Sequence, residues 1–122
     1  MKEFSLVNLT SHDIVVRSES GDDCIIPASG AVARIDMSHR KHALSKELPK
    51  IGFRVCETAY GEVTGLPPSR EGVFYITSFP VMQAVASRGR RDVVSPDTTS
   101  PDVVKSPDGK IVAVRGFQIW AS

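Results

Sequence analysis

The sequence is poor in the residue types and motifs on which most small enzymes rest. It holds two cysteines, Cys24 and Cys56, which lie 32 positions apart. Neither has a CxxC partner or a histidine at ligand spacing, so no zinc site is expected and reduced, partly buried thiols are. Aromatic residues are few, with one Trp, two Tyr and five Phe, which argues against the multi-ring stacking platform of RNA-binding sheets. The phosphate-cradling GxxxxGK[ST], the dinucleotide GxGxxG and the nucleophile-elbow GxSxG are all missing, so ATP hydrolysis, dinucleotide redox chemistry and serine hydrolysis lose their usual supports. No cofactor and no metal are expected. Charge of either sign is balanced to a formal +1, leaving no global field to draw the chain to a DNA or RNA duplex or to an anionic membrane. No segment nears the roughly 18 apolar residues of a membrane span. The opening MKEFSLVNLTSHD holds no apolar run long enough for a signal peptide. The expectation is a cytoplasmic protein.

What is present is an ordinary globular composition, 41% hydrophobic and 24% charged over 122 residues. That suffices for one core and predicts a single β-rich domain over residues 1–122. Phe4 to Leu9, Ile14 to Arg17, Cys24 to Pro27 and Ala31 to Ile35 read as short strands separated by turns. Their short connections predict an antiparallel meander. Met37 to Leu48 loses β-branched residues and reads as a short helix or loop ending before Pro49. Phe53 to Cys56 and Thr58 to Val63 resemble strands, with Gly61 and Gly65 at bulge or turn positions. Val73 to Thr77 is a strong strand. It is followed by a two-turn helix with Pro80 in its first turn, Ser78 able to cap it and Gly89 able to end it. Ser-Pro-Asp recurs at Ser95, Ser100 and Ser106, each as turn chemistry. The last, Ser106-Pro107-Asp108-Gly109, predicts a β-hairpin with glycine at positive φ. Phe117, Ile119 and Trp120 alternate as a terminal strand. The fold class is therefore α+β, mainly antiparallel β as a meander or partly closed sheet, with one or two short helices.

The histidines are the obvious general bases, yet none sits in a motif. His39 and His42, spaced i, i+3, fall on one face of the candidate helix, either as metal ligands or as part of a solvated basic face. His12 lies in a tight turn between Ser11 and Asp13, as a turn residue or as the base of a small hydrolase. Arginine is the better lead. Arg88, Arg90 and Arg91 follow the Pro80 helix, and a planar guanidinium grips phosphate through two parallel hydrogen bonds. The same residues could instead serve the helix C-terminus by satisfying its carbonyls. A strand end, a helix N-terminus at Ser78 and the arginine loop together suggest an anion cradle. The candidate ligand-binding residues are Thr77, Ser78, Arg88, Arg90, Arg91 and Asp92, with Asn8, Thr10 and His12 as a second wall. Asp92 either meets ribose hydroxyls or pairs with an arginine.

VNLTSHDI (Val7 to Ile14), IPASGAVARI (Ile26 to Ile35), YGEVTGLP (Tyr60 to Pro67), FYITS (Phe74 to Ser78) and RRDVVSPDT (Arg90 to Thr98) together resemble a group of small uncharacterised proteins of bacteriophages and prophage-bearing bacteria. The order of these segments spans most of the chain, and Lys41 to Lys50 departs from the usual short connection. The resemblance implies a phage setting, with the host cell cytoplasm as the location. By analogy of size and setting, it suggests a non-enzymatic viral anti-defence protein that sequesters a nucleotide immune signal. The expected partner is a phosphate-bearing small molecule, bound with the tightness that a homo-oligomer supplies when two chains bury the ligand. The alternatives are a protein interaction module or minor virion component, and a small hydrolase using His12.

Overall fold

A computed structural model of the protein describes residues 3–42, 52 and 54–121. In chain order the elements are β1 (Ser5–Asn8), β2 (Ile14–Arg17), β3 (Asp23–Ile26), β4 (Arg34–Lys41), β5 (Cys56–Thr64), β6 (Val73–Ile76), α1 (Phe79–Ser87), β7 (Val93–Pro96), β8 (Val104–Lys105), β9 (Ile111–Ala113) and β10 (Phe117–Gln118). Among the described residues most strand pairs are antiparallel and one short helix accompanies them, which makes the chain a β-rich α+β protein. Among the described residues no sheet closes on itself.

The central sheet runs β1-β6-β7-β10. Here the meander expected of the N-terminal third gives way, because β1 pairs in parallel with β6, Ser5 opposite Val73 through Asn8 opposite Ile76. Only β2 and β3 keep the sequential hairpin. β6 and β7 are also parallel, with Tyr75 opposite Val93 and Ile76 opposite Val94. α1 connects them as a βαβ crossover, which is how neighbouring parallel strands are joined. The continuous apolar run Val73-Phe74-Tyr75-Ile76 has its reason in this position, since a central strand must satisfy both faces. Tyr75 and Val93 point to α1 and pack with Val81, Met82 and Val85, joined by Leu9 and Ala33. Ile76 and Val94 point the other way, onto Ile14, Val114 and Phe117. Alternate residues of one strand thus hold two cores. Each fully buried Val, Ile or Met contributes about 1.5–3 kcal/mol.

The second core is closed by the hairpin of β2 and β3 and the hairpin of β8 and β9. They meet at a parallel bridge between Val16 and Val114, where Arg17 N donates to Val114 O at 2.9 Å and Val114 N to Val15 O at 2.9 Å. The turn between β8 and β9 follows the sequence reading, with Gly109 at φ +87° and the Ser106 hydroxyl bonded to the Asp108 carboxylate.

Several expectations need correction. Met37 to Lys41 belongs to β4 and not to a helix, because each residue finds a partner on β5 from Tyr60 to Cys56. Cross-strand hydrogen bonds there outweigh weak local preference. The helical face proposed for His39 and His42 goes with it: His39 lies on the strand, with Nδ1 2.8 Å from Thr58 Oγ1. Ala43 to Leu48 and Phe53 lie outside the described residues. The bulge expected at Gly61 is present, since Gly61 and Glu62 oppose Asp36 alone between the Ile35–Val63 and Met37–Tyr60 pairs. Gly65 sits at φ +81°, where a Cβ would come within 2.4 Å of Val32 O. Ser95-Pro96 is no turn but the end of β7, with Pro96 facing Phe117 and Ser95 facing Gln118. Proline is tolerated at such a strand end. The terminal strand stops at Gln118, leaving Ile119 and Trp120 exposed. Both thiols are free, but they are exposed rather than partly buried.

Candidate functional site

The candidate residues divide between the two ends of α1. At its C-terminal end Arg88 caps the helix and Gly89 reverses the chain at φ +98°. Arg88 does not serve the helix carbonyls with its side chain; its guanidinium reaches Gly61 O on β5 at 2.7 Å. Arg90 turns inward. Its Nε donates to Asp92 Oδ1 at 2.8 Å and one terminal nitrogen to Asp92 Oδ2 at 3.0 Å, and that nitrogen also donates to Pro67 O at 3.0 Å. The guanidinium carbon lies 5.9 Å from the Tyr75 ring centroid, a cation–π contact. Asp92 is thus paired with an arginine. Arg90 holds its carboxyl below the usual carboxylate value, burial opposes this, and a hydrogen bond from Ser69 adds to it. Arg90 is raised in turn, chiefly by the bond to Asp92.

This pair fastens a loop. Arg90 holds Pro67 O, the Tyr75 hydroxyl donates to Pro68 O at 3.2 Å, and Ser69 bonds Asp92. Consecutive residues of the Leu66-Pro67-Pro68-Ser69 break are therefore tied to β6 and to the start of β7, which fixes where Arg70 emerges. A depression of about 360 Å³ lies here, lined by Arg70, by Gly89 to Asp92 and by the rings of Phe4 and Phe74. The two rings are 5.6 Å apart and tilted by 56°. Among the described residues the Arg70 and Arg91 guanidinium groups have neither a hydrogen-bonding nor an ionic partner.

At the N-terminal end of α1, Asn8 is buried to 1% exposure and its amide is fully used. Nδ2 donates to His12 O at 2.8 Å and to Ile26 O at 3.0 Å, while Oδ1 accepts from Thr10 N at 2.9 Å and Thr10 Oγ1 at 2.6 Å. Two donor hydrogens and two acceptor sites are all an amide has. Asn8 is the pin of the Leu9–Asp13 turn, and His12 contributes its carbonyl while the residue stands exposed. Thr77 is wholly buried, its hydroxyl donating to Ser78 O at 3.0 Å. Ser78 occupies the N-cap with extended backbone but makes no side-chain cap bond. With Thr10, Ser11, Arg34 and Pro80 it lines a second depression of about 340 Å³.

Nine helical residues separate Ser78 from Arg88, which puts the two about 15 Å apart at 1.5 Å per residue. The helix N-terminus and the arginine loop therefore do not converge on one anion. Arg90, Arg91 and Asp92 share one depression; Thr10 and Ser78 share the other; Asn8, Thr77 and Arg88 are engaged in holding the fold. Sequence reasoning passed over Phe4, Ser69, Arg70 and Arg34. Only Arg70 carried a signal, a cation just past a Pro-Pro break, where a rigid turn presents its side chain outward. Among the described residues no group of three or more His, Cys, Asp or Glu side chains is gathered to hold a metal ion, and no helix is long and apolar enough to cross a membrane. Comparison with protein-family models, with curated proteins and with solved structures finds no match to this chain.

Proposed function

We propose that the chain is a non-enzymatic binding protein that holds a phosphate-bearing small molecule, a nucleotide of the kind used as an immune signal, between Arg70 and Arg91. The observation that carries this reading is the division of labour between adjacent arginines. Arg90 neutralises Asp92, so Arg91 and Arg70 border the depression with no charge partner among the described residues. A phosphate there meets two guanidinium groups, and the Asp92 carboxylate nearby is already compensated by Arg90. The clamped Pro67–Ser69 loop adds preorganisation, which lowers the ordering cost of binding. The resemblance to phage proteins supplies the setting, an anti-defence protein in the host cytoplasm, where sequestration needs affinity and no chemistry. A second copy covering this open depression would raise that affinity.

The test is mass spectrometry of small molecules released by heat from protein purified out of nucleotide-signalling cells. The wild type is expected to release an intact nucleotide, and a folded Arg91→Ala variant none. Release of no phosphate compound, or of equal amounts from both proteins, would contradict the reading, and a cleavage product would point to an enzyme.

One observation favours the alternative of a protein interaction module. Phe79 and Trp120 meet edge to face at 5.7 Å and both are more than a third exposed, beside the exposed Ile119. Exposed aromatic clusters are characteristic of protein contacts. A stable complex with a host or phage protein that Trp120→Ala dissolves, with no nucleotide bound, would select this reading.

A further inference from the structure

We infer that the depression between Arg70 and Arg91 takes a single mononucleotide, with its base against Phe4 and its phosphate between the guanidinium groups; this rests on the function proposed above. Among the described residues Phe4 is the most exposed large apolar side chain, at 64%. Its position is nonetheless set by the tilted contact with Phe74 on β6. Water-facing aromatic surface is costly to leave bare, and here it borders the same depression as two cations that have no partner among the described residues. A planar, uncharged group joined to an anion matches that combination, and a nucleoside phosphate is such a molecule. A free phosphate uses the arginines and leaves the ring idle; an apolar ligand does the reverse.

Size narrows the class. A volume of about 360 Å³ stands near the lower limit of small-molecule sites, which run from about 300 to 1,000 Å³. One base, one sugar and one phosphate group match that volume, and a cyclic oligonucleotide exceeds it. Base stacking on a protein ring is worth about 1–3 kcal/mol, which converts to roughly 5- to 150-fold in affinity.

Calorimetric titration of the full chain with the ribonucleoside 5′-monophosphates, a cyclic dinucleotide, ribose 5-phosphate and inorganic phosphate tests this. The best monophosphate is expected to bind the wild type about 5- to 150-fold more tightly than ribose 5-phosphate. Phe4→Leu is expected to close that gap while leaving ribose 5-phosphate binding unchanged, and Phe4→Tyr to restore it. Because Phe4 is exposed, neither substitution threatens the core. Equal wild-type affinity for ribose 5-phosphate and every monophosphate would overturn the base assignment while leaving an anion site standing. A cyclic dinucleotide binding more tightly than any monophosphate would overturn the size assignment. Absence of binding by every phosphate compound would remove the proposed function and this inference together.

Discussion

Arg90 and Asp92 are two positions apart in the chain and locked in a two-pronged pair, Nε to Oδ1 at 2.8 Å and a terminal nitrogen to Oδ2 at 3.0 Å. Their side chains are 24% and 17% exposed. The pair belongs to the frame of the candidate site, not to its ligand contacts, because the same guanidinium also holds Pro67 O.

Arg90→Ala should therefore cost stability, about 1–3 kcal/mol, through loss of charge-assisted bonds and an Asp92 left without its partner. Arg90→Lys should recover little, since an ammonium cannot span both carboxylate oxygens and the carbonyl. Urea denaturation measures both.

The pH dependence follows from Asp92. Its carboxyl is held below the ordinary value of about 3.9, mainly by Arg90. A depressed folded-state value contributes stability above the unfolded value and loses it as pH falls through the folded one. Asp92→Asn should thus be less stable than wild type at pH 7, and the difference should shrink below about pH 4. Urea midpoints of the two proteins across that range decide the point.

Asn8→Ala removes four hydrogen bonds in a buried turn. Ile26 O and Thr10 N lose the Asn8 amide, while His12 O keeps the Thr10 hydroxyl at 3.0 Å. The cost is about 1–3 kcal/mol for each group left unsatisfied after relaxation. The loss should appear in denaturant unfolding as a shift several times larger than that of the exposed Ser11→Ala.

Ser78→Ala should change stability by less than about 0.5 kcal/mol, against about 1 kcal/mol for a serine that truly caps. Its hydroxyl makes no cap bond, and the same unfolding measurement checks this.

The parts legible in the sequence were those with local causes. Ile14–Arg17 is a β-branched run, and Ser106 to Gly109 is a turn whose residues each have a fixed stereochemical duty. Pro80 and Gly89 bracket α1 for the same reason. The parallel pairing of β1 with β6 was hidden because the partner strand starts at Val73, and no local pattern encodes so distant a neighbour. β4 was misread at Met37 to Lys41 because its partners on β5, though nearer in the chain, also lie outside the local pattern. The site failed in a similar way. The arginine cluster was visible, but which arginine is spent on Asp92 depends on Pro67, Ser69 and Tyr75 arriving from another segment. Asn8 and Thr10 drew attention as polar residues in a turn, and their polarity proves to serve that turn.

The proposed site holds phosphate between Arg70 and Arg91. Backbone amide chemical-shift mapping during titration with a ribonucleoside 5′-monophosphate tests it most directly. The account predicts shifts confined to Phe4, to Ser69–Phe74 and to Gly89–Asp92, abolished in Arg91→Ala. Shifts instead at Thr10, Ser11 and Ser78–Val81, around the other end of α1, or no shifts at all, would contradict it.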